Sequence, residues 1–378
     1  MSELPRHLVM KELRRRILSG LFADGTRLPT ELELAGEFRV SRGTIRSALA
    51  ELAATGMIEC RRGIGNFVRF PQNSDAGEGG SICCIFPESD DGIDSELIRG
   101  MAEAAADRSR EFSLLSYSRD PEKIADMVMS LRRRKSPGVV VIPAIQPDYY
   151  DINNRLLDII ESGGLRYVTV DSPIARHGVV RGDFVDADGY TGMRNLVRYL
   201  AASGHRRIAS VRVFAGIYSS DHRIRGVFDQ LDAEKLPLLP ELHRVVDNVS
   251  LAQQARRQVS ELLELRERPD AIIFSCDQLA LNGWIVLREH GIRIPEEISI
   301  CGFDDIPLAE TLDLTTVRTP RREIGRRAIG ILLENSPVRR QESLPCEPVF
   351  RGSSKRNQRN VQPTADYSKN NKRKGTRP

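Results

Sequence analysis

The 378-residue sequence has no run of about 18 apolar residues, which argues against a membrane-spanning helix. From Met1 to Leu13 there is no apolar stretch ahead of a small-residue cleavage site, so no secretory leader is expected and the cytoplasm is the expected compartment. Six cysteines occur, Cys60, Cys83, Cys84, Cys276, Cys301 and Cys346, and none forms a CxxC pair. No histidine stands at metal-ligand spacing from them, so reduced and mostly buried thiols are expected, with no metal site. A G-x-S-x-G elbow, a Walker loop and paired metal ligands are also missing. Lysine is scarce in the middle of the chain: between Lys135 and Lys355 only Lys235 occurs, in a polar stretch. A pyridoxal-phosphate body of the aminotransferase type, which needs an internal Schiff-base lysine, is therefore poorly served. The expectation is a non-enzyme with no catalytic residue and no cofactor.

What is present suits a globular chain of two or three domains: 40% hydrophobic and 29% charged residues. The net charge of +4 hides an uneven distribution. Residues 1–70 carry 12 Lys and Arg against 8 Asp and Glu, and residues 353–378 carry 8 against 1. The segment between them is therefore acidic. A basic head on an acidic body points to the head as the part that meets a polyanion. Residues 71–80, PQNSDAGEGG, read as a flexible linker. Residues 353–378 lack apolar runs and read as a basic, disordered tail.

In residues 1–70, Val9, Leu13 and Ile17 recur every four residues and predict a helix over 6–19. Thr30 and Glu33 have capping-box spacing for a second helix that buries Leu34, Ala35 and Phe38. Ser41 is a plausible cap for a third helix, whose inner face is Ile45, Ala48, Leu49 and Leu52. Its first turn offers Arg42, Gly43, Thr44 and Arg46 outward. Two guanidiniums, a hydroxyl and a glycine that permits close approach are what a helix N-terminus needs to enter a DNA groove. Residues 57–62 then pair with 66–69 across Gly63-Ile64-Gly65 as a hairpin with arginine at its tip.

The run Leu28-Pro29-Thr30-Glu31, then Val40 to Leu49, then Gly63 to Val68 resembles the GntR-type winged helix-turn-helix. That resemblance implies that Arg42, Thr44 and Arg46 contact bases or phosphates, with Thr30, Ser41 and Gly43 beside them. It also implies that Arg62 and Gly63 of the wing reach the minor groove. The family often carries arginine where this chain has Leu32, so one contact is missing or supplied elsewhere.

From Ser81 onward, short β-branched strands alternate with amphipathic helices. Strands are expected at 82–86, 113–116, 138–142, 167–170, 208–211, 271–274 and 298–301. Met193, Leu196, Val197 and Leu200 share one helix face, and Ala280, Gly283, Trp284 and Leu287 another. This pattern predicts an α/β body of parallel sheets covered on both sides, with ligands beyond the carboxyl ends of the strands. The landmarks Gly204 to Ile208, His222 to Phe228, Pro269 to Ala280, Ile298 to Asp305 and Leu314 to Pro320 fall in order. Together they resemble the LacI and ribose-binding-protein sensor, a two-lobed, periplasmic-binding-protein-like fold.

The resemblance implies a first lobe of about 81–185 plus a return near 305–318. The second lobe is then about 187–303 plus 321–350, with crossings near Asp186, Phe303 and Pro320. It implies ligand contacts from Ser89, Asp90, Asp171, Ser219, Arg223, Cys276, Asp277 and Asp304, with Ser219 on the second lobe. Carboxylates and a guanidinium suit a vicinal diol, which needs acceptors for two O–H groups and donors for its oxygens. For Asp277 a helix-capping role is the competing reading. Several departures bear on the ligand. Cys276 replaces a common asparagine, Ser172 a common arginine, and residues 88–93 lack a stacking aromatic pair. Asn248 stands where another aromatic is frequent, and Tyr117, Tyr218 or Phe303 are the possible substitutes. A sugar or sugar derivative is the first expectation, and a nucleoside, purine or other metabolite the alternative.

The whole resembles the chimeric arabinose-repressor type of regulator. The expected protein is a homodimer through its sensor, two heads on double-stranded operator DNA, released by a small polar effector. A co-repressor role for the ligand stays open, and a sugar-binding transport component is a distant alternative.

Overall fold

The computed structural model describes residues 6–18, 22, 25–54, 57–61, 63–68, 80–88, 95–246, 250–334, 336 and 338–355. The head comprises α1 (Arg6–Leu18), α2 (Glu31–Phe38), α3 (Arg42–Ala54), β1 (Ile58–Arg61) and β2 (Gly65–Val68). The predicted apolar faces are its core: Val9, Leu13 and Ile17 of α1, Leu34, Ala35 and Phe38 of α2, and Ile45, Ala48, Leu49 and Leu52 of α3 are all buried. The strands β1 and β2 pair antiparallel, with Arg61 opposite Gly65. Gly63 and Gly65 have φ of 77° and 135°, which a side chain would resist, so the tight turn needs glycine there.

The body follows with β3 (Ile82–Pro87), α4 (Ser95–Ala106), β4 (Phe112–Tyr117), α5 (Pro121–Arg133), β5 (Val139–Val141), α6 (Tyr149–Ser162), β6 (Tyr167–Val170), β7 (Ala175–Arg176), β8 (Val179–Val180) and β9 (Asp183–Ala187). Then come α7 (Gly189–Ala202), β10 (Ile208–Val213), α8 (Tyr218–Ala233), β11 (His243–Val246), α9 (Leu251–Leu263), β12 (Ala271–Phe274), α10 (Asp277–Glu289) and β13 (Ser299–Cys301). The chain closes with α11 (Pro307–Thr311), β14 (Thr316–Arg318), α12 (Arg321–Leu333), β15 (Gln341–Leu344) and β16 (Glu347–Val349). Among the described residues no helix is long and apolar enough to cross a membrane.

The chain divides into two compact units. One is Met1–Asp188 with Gly216–Ser219 and Pro320–Pro345; the other is Gly189–Ala215, Ser220–Thr319 and Cys346–Pro378. The first unit holds a six-stranded parallel sheet in the order β15-β9-β6-β5-β3-β4. The second holds a four-stranded parallel sheet, β11-β10-β12-β13. Alternation in its strands loads both faces. Ala209, Val211, Ile272, Phe274 and Ile300 pack with residues of α9 and α10. Ile208, Ala271, Ile273 and Cys301 pack with Met193, Leu196, Val197 and Leu200 of α7 and with Ile224, Val227 and Leu231 of α8.

The assignment of the returning segments is corrected. Residues 305–318 stay with the second unit, where β14 pairs with β16 and Asp304 bridges Arg318. Residues 321–345 go back to the first. The cause is packing: Ile324, Ala328, Ile329 and Leu332 of α12 complete the core formed by Leu97, Met101, Ala104 and the sheet. Glycines allow α12 to lie directly on α4. A Cβ on Gly100 would stand 1.9 Å from the Arg322 carbonyl oxygen, and one on Gly325 would stand 2.3 Å from that of Leu97. The tail boundary also moves. Ser353 and Ser354 are buried, and Ser353 Oγ donates to the Ile300 carbonyl at 2.7 Å, because the Thr315 backbone and side chain need these partners. The linker, apart from Gly80, lies outside the described residues, as does the chain beyond Lys355.

Gly100→Ala and Gly325→Ala should each destabilise the protein by about 1–3 kcal/mol, because the backbones cannot separate without opening the core. Urea unfolding midpoints of the two variants check this.

Candidate DNA interface and effector-binding residues

One face of α3 is buried in the head and the other is open. Arg42 and Arg46 project from the open face, their side chains 62% and 68% exposed. Ser41 caps the helix: its Oγ accepts the Thr44 N–H at 3.1 Å and shares a hydrogen bond with Thr44 Oγ1 at 2.8 Å. Gly43 between them is exposed and leaves the backbone bare. Thr30 forms the expected capping box, its Oγ1 accepting from the Glu33 N–H while the Glu33 carboxylate accepts from the Thr30 N–H at 2.7 Å. Its hydroxyl is thus engaged in the cap. In the hairpin, Gly63 makes the turn and the Arg61 guanidinium sits 4.6 Å from the Phe67 ring centre. Arg62 lies outside the described residues. Leu32 points outward, so the position the family fills with arginine is exposed and uncharged.

One residue carries more than the sequence reading gave it. Glu31, in the first turn of α2, accepts from Arg46 through both oxygens, at 3.3 and 3.1 Å, and lies 3.8 Å from Arg42. The hydrogen bonds from Arg46 hold the Glu31 carboxyl below the ordinary carboxylate range.

In the first unit, Asp171 follows β6 on a backbone of φ 71°, and its carboxylate accepts from Arg321 Nη1 at 3.1 Å. Sequence reasoning missed Arg321. The available signal was a charged residue directly after the Thr319-Pro320 crossing, where the chain re-enters this unit. Ser219 also belongs here, and not with the second unit as expected: its N–H donates to Ser172 Oγ at 3.2 Å. Ser89 and Asp90 lie outside the described residues, as does Asn248 of the second unit.

In the second unit, the Arg223 guanidinium lies 3.9 Å from the Phe303 ring centre, donates to the Ser275 carbonyl at 2.8 Å and faces Asp304 at 3.4 Å. Asp304 follows β13 with φ 113°, a conformation that costs a non-glycine residue about 1–3 kcal/mol and is typical of functional sites. Cys276, just before α10, is partly buried, and enclosure followed by the Asp304 charge pushes its thiol up to about 12. It is therefore a neutral thiol and no nucleophile.

Asp277 is corrected. It is fully buried, with one oxygen accepting from the Ile306 N–H at 3.0 Å and the other from Thr316 Oγ1 at 2.7 Å. Its carboxylate ties α10 to the segments on either side of α11, and it makes no side-chain cap of its own helix. It therefore leaves the ligand-facing set. Two stacking candidates leave as well: Phe303 is buried beneath Arg223, and Tyr117 is buried with its hydroxyl donating to the Ile142 carbonyl. Tyr218 is half-buried in the first unit and keeps that possibility.

Each unit thus carries an Asp–Arg pair at the carboxyl end of its sheet: Asp171 with Arg321, and Asp304 with Arg223. An acceptor carboxylate beside a donor guanidinium is the arrangement that a vicinal diol satisfies at both oxygens.

Residues 6–68 match the family model of bacterial regulatory proteins, gntR family, and residues 197–354 match that of the periplasmic binding protein-like domain. The chain joins a GntR head to a periplasmic-binding-protein-like body. It is 27% identical over 343 residues to the arabinose metabolism transcriptional repressor of Geobacillus stearothermophilus, covering 88% of this chain and 91% of that one. The solved complex of the transcriptional regulator CelR with cellobiose superposes with a TM-score of 0.63 at 20% identity, covering 86% of this chain and 100% of that one. The lac repressor dimer, solved with operator and the anti-inducer ONPF, gives 0.61 at 19% identity, covering 74% and 96%. These two structures establish the fold of the periplasmic-binding-protein-like body.

The enclosed carboxyl of that body has a measurable signature. Burial first, and the Asp304 charge second, raise Asp277 from 3.8 to about 7. The folded form then holds the proton more tightly than the unfolded form, so this group favours folding most at low pH. Its contribution is lost as pH rises through about 4 to 7. Asp277→Asn should flatten the pH dependence of stability in that window while lowering stability overall, as urea unfolding between pH 4 and 8 will read.

Proposed function

We propose that the chain is a transcriptional repressor acting in the cytoplasm, whose GntR head binds operator DNA and whose body releases it when a sugar or sugar derivative binds. The observation that carries the reading is the split of α3: one face fills the head core, while Arg42 and Arg46 stand exposed at its start beside a bare Gly43. A helix N-terminus so equipped fits the major groove, where arginine pairs with guanine O6 and N7. Ser41, Thr44, Thr30 and the wing at Arg62 and Gly63 then act on the phosphates and the neighbouring groove. The gntR-family match and the repressor named among the relatives support this reading.

The proposed effector contacts are Asp171, Arg321, Arg223 and Asp304, with Ser219, Cys276, Ser89 and Asp90 contributing. Each Asp–Arg pair offers a polyhydroxylated ligand an acceptor and a donor, and the cellobiose complex of a protein with the same fold is consistent with that class. Effector can shift operator affinity only by binding one conformation better than the other, and a tenfold loss needs about 1.4 kcal/mol of such preference.

The working form is proposed to be a homodimer through the body, with two heads on a near-palindromic site. Ile285 of α10 and Leu308 of α11 are exposed apolar residues of the second unit, and Leu114 is one on β4, an edge strand of the first. The lac repressor was solved as a dimer on its operator, which supports this assembly.

Two experiments test the reading. With an operator selected from random duplexes by the protein itself, Arg42→Ala should lower affinity at least tenfold and leave sugar-induced thermal stabilisation intact. Asp304→Ala should do the reverse; equal operator affinity in Arg42→Ala would refute the docking. Leu308→Glu should shift the sedimenting species from dimer to monomer, and an unchanged mass would remove α11 from the interface.

A further inference from the structure

Glu31 is an acid on the surface that the head presents to DNA, where a carboxylate would ordinarily be a liability. It stands in the first turn of α2, where a negative charge is favoured by the helix dipole, and Arg46 keeps it ionised. Its two oxygens meet the Nε and Nη2 edge of Arg46, and one of them also lies within reach of Arg42. One carboxylate therefore addresses both exposed arginines of α3. Two consequences follow from charge and geometry. An arginine held through one edge of its planar fork has its remaining donors aimed in a fixed direction, so it loses less freedom on meeting the two acceptors of a guanine. The same carboxylate also cancels about one positive charge at the surface and so opposes attachment to phosphates, which carries no sequence information.

We propose that Glu31 is a specificity-determining positioning residue: it aims Arg46 at a base edge and suppresses sequence-independent binding through the same pair of α3 arginines. This rests on the reading of α3 as the helix that enters the groove. It adds that the residue setting discrimination lies on the preceding helix and touches no base. The structure gives the clamp a single-atom handle, because Glu31→Gln keeps the size and the acceptor oxygen while removing the charge.

The test compares the full-length chain, Glu31→Gln, Arg46→Ala and the double variant. Each is titrated with the selected operator and with a random duplex of equal length across a salt series. For Glu31→Gln we expect random-duplex affinity to rise several-fold. The ratio of operator to random affinity should fall at least tenfold, and the log–log salt slope for the random duplex should steepen by up to about 0.9. Because the effect passes through Arg46, most of the loss in ratio should vanish in the Arg46→Ala background. A merely structural role would instead lower the melting temperature and weaken both duplexes together. An unchanged ratio, or a loss that persists undiminished without Arg46, overturns the proposal. If Arg46→Ala itself binds operator normally, it is the docking of α3 that fails, which separates the two outcomes.

Discussion

The organisation of the first unit depends on one close approach, that of α12 to α4. The two helices touch at Gly100 and Gly325, where neither chain can carry a side chain. Around that contact Ile324, Ala328 and Leu332 close the core of the first unit against Leu97 and Met101. At the exposed rim Glu103 accepts from Arg322 and Arg326 and, within its own helix, from Arg99. The apolar contact supplies the stability, since exposed ion pairs contribute only about 0–1 kcal/mol each. A segment more than 200 residues downstream is thereby recruited to finish a sheet begun at Ile82. Its arrival also delivers Arg321 to Asp171, so the packing that completes the fold also completes one of the two Asp–Arg pairs.

The head uses the same economy on a smaller scale. The short helix α2 begins with a capping box, ends at Arg39 with a left-handed residue, and buries three side chains. Its first turn then has a polar residue to spare, and Glu31 turns it toward α3. Local helix chemistry and the outward arginines are thus joined through a carboxylate one position from the cap. Leu32 beside it is exposed and uncharged, and the guanidiniums of Arg42 and Arg46 both face the Glu31 carboxylate.

Most of the architecture was legible because it rests on periodicity. The α3 face of Ile45, Ala48, Leu49 and Leu52 and the run Ala271 to Phe274 announce themselves by spacing and by β-branched content. Less legible were β11, β15 and β9. The first two are sheet edges carrying His243, Arg244, Gln341 and Glu342, and β9 holds Asp183 and Asp186, so none shows an unbroken apolar run. The direction of the return was misjudged because Pro320 marks a crossing but not its sense; only the fit of Gly325 onto α4 decides that. At the candidate site, Arg223 and Asp304 were readable from local motifs. Arg321 was not, because its partner lies 150 residues away. Asp277 misled for the opposite reason: an acid at the start of a helix after a buried strand looks the same in one dimension whether it faces a ligand or the interior.

That resemblance has a consequence for genetics. On the effector contact proposed for Asp304, a screen for regulators that no longer answer their effector would collect changes at both 304 and 277, and the alleles would look alike on a plate. They report different failures. A lesion at 304 removes the half-buried partner of Arg223 at a strand end, whereas one at 277 unfastens the Ile306 and Thr316 tethers and so weakens the body itself. Temperature sensitivity of the phenotype, more than its strength, tells a deaf sensor from a broken one.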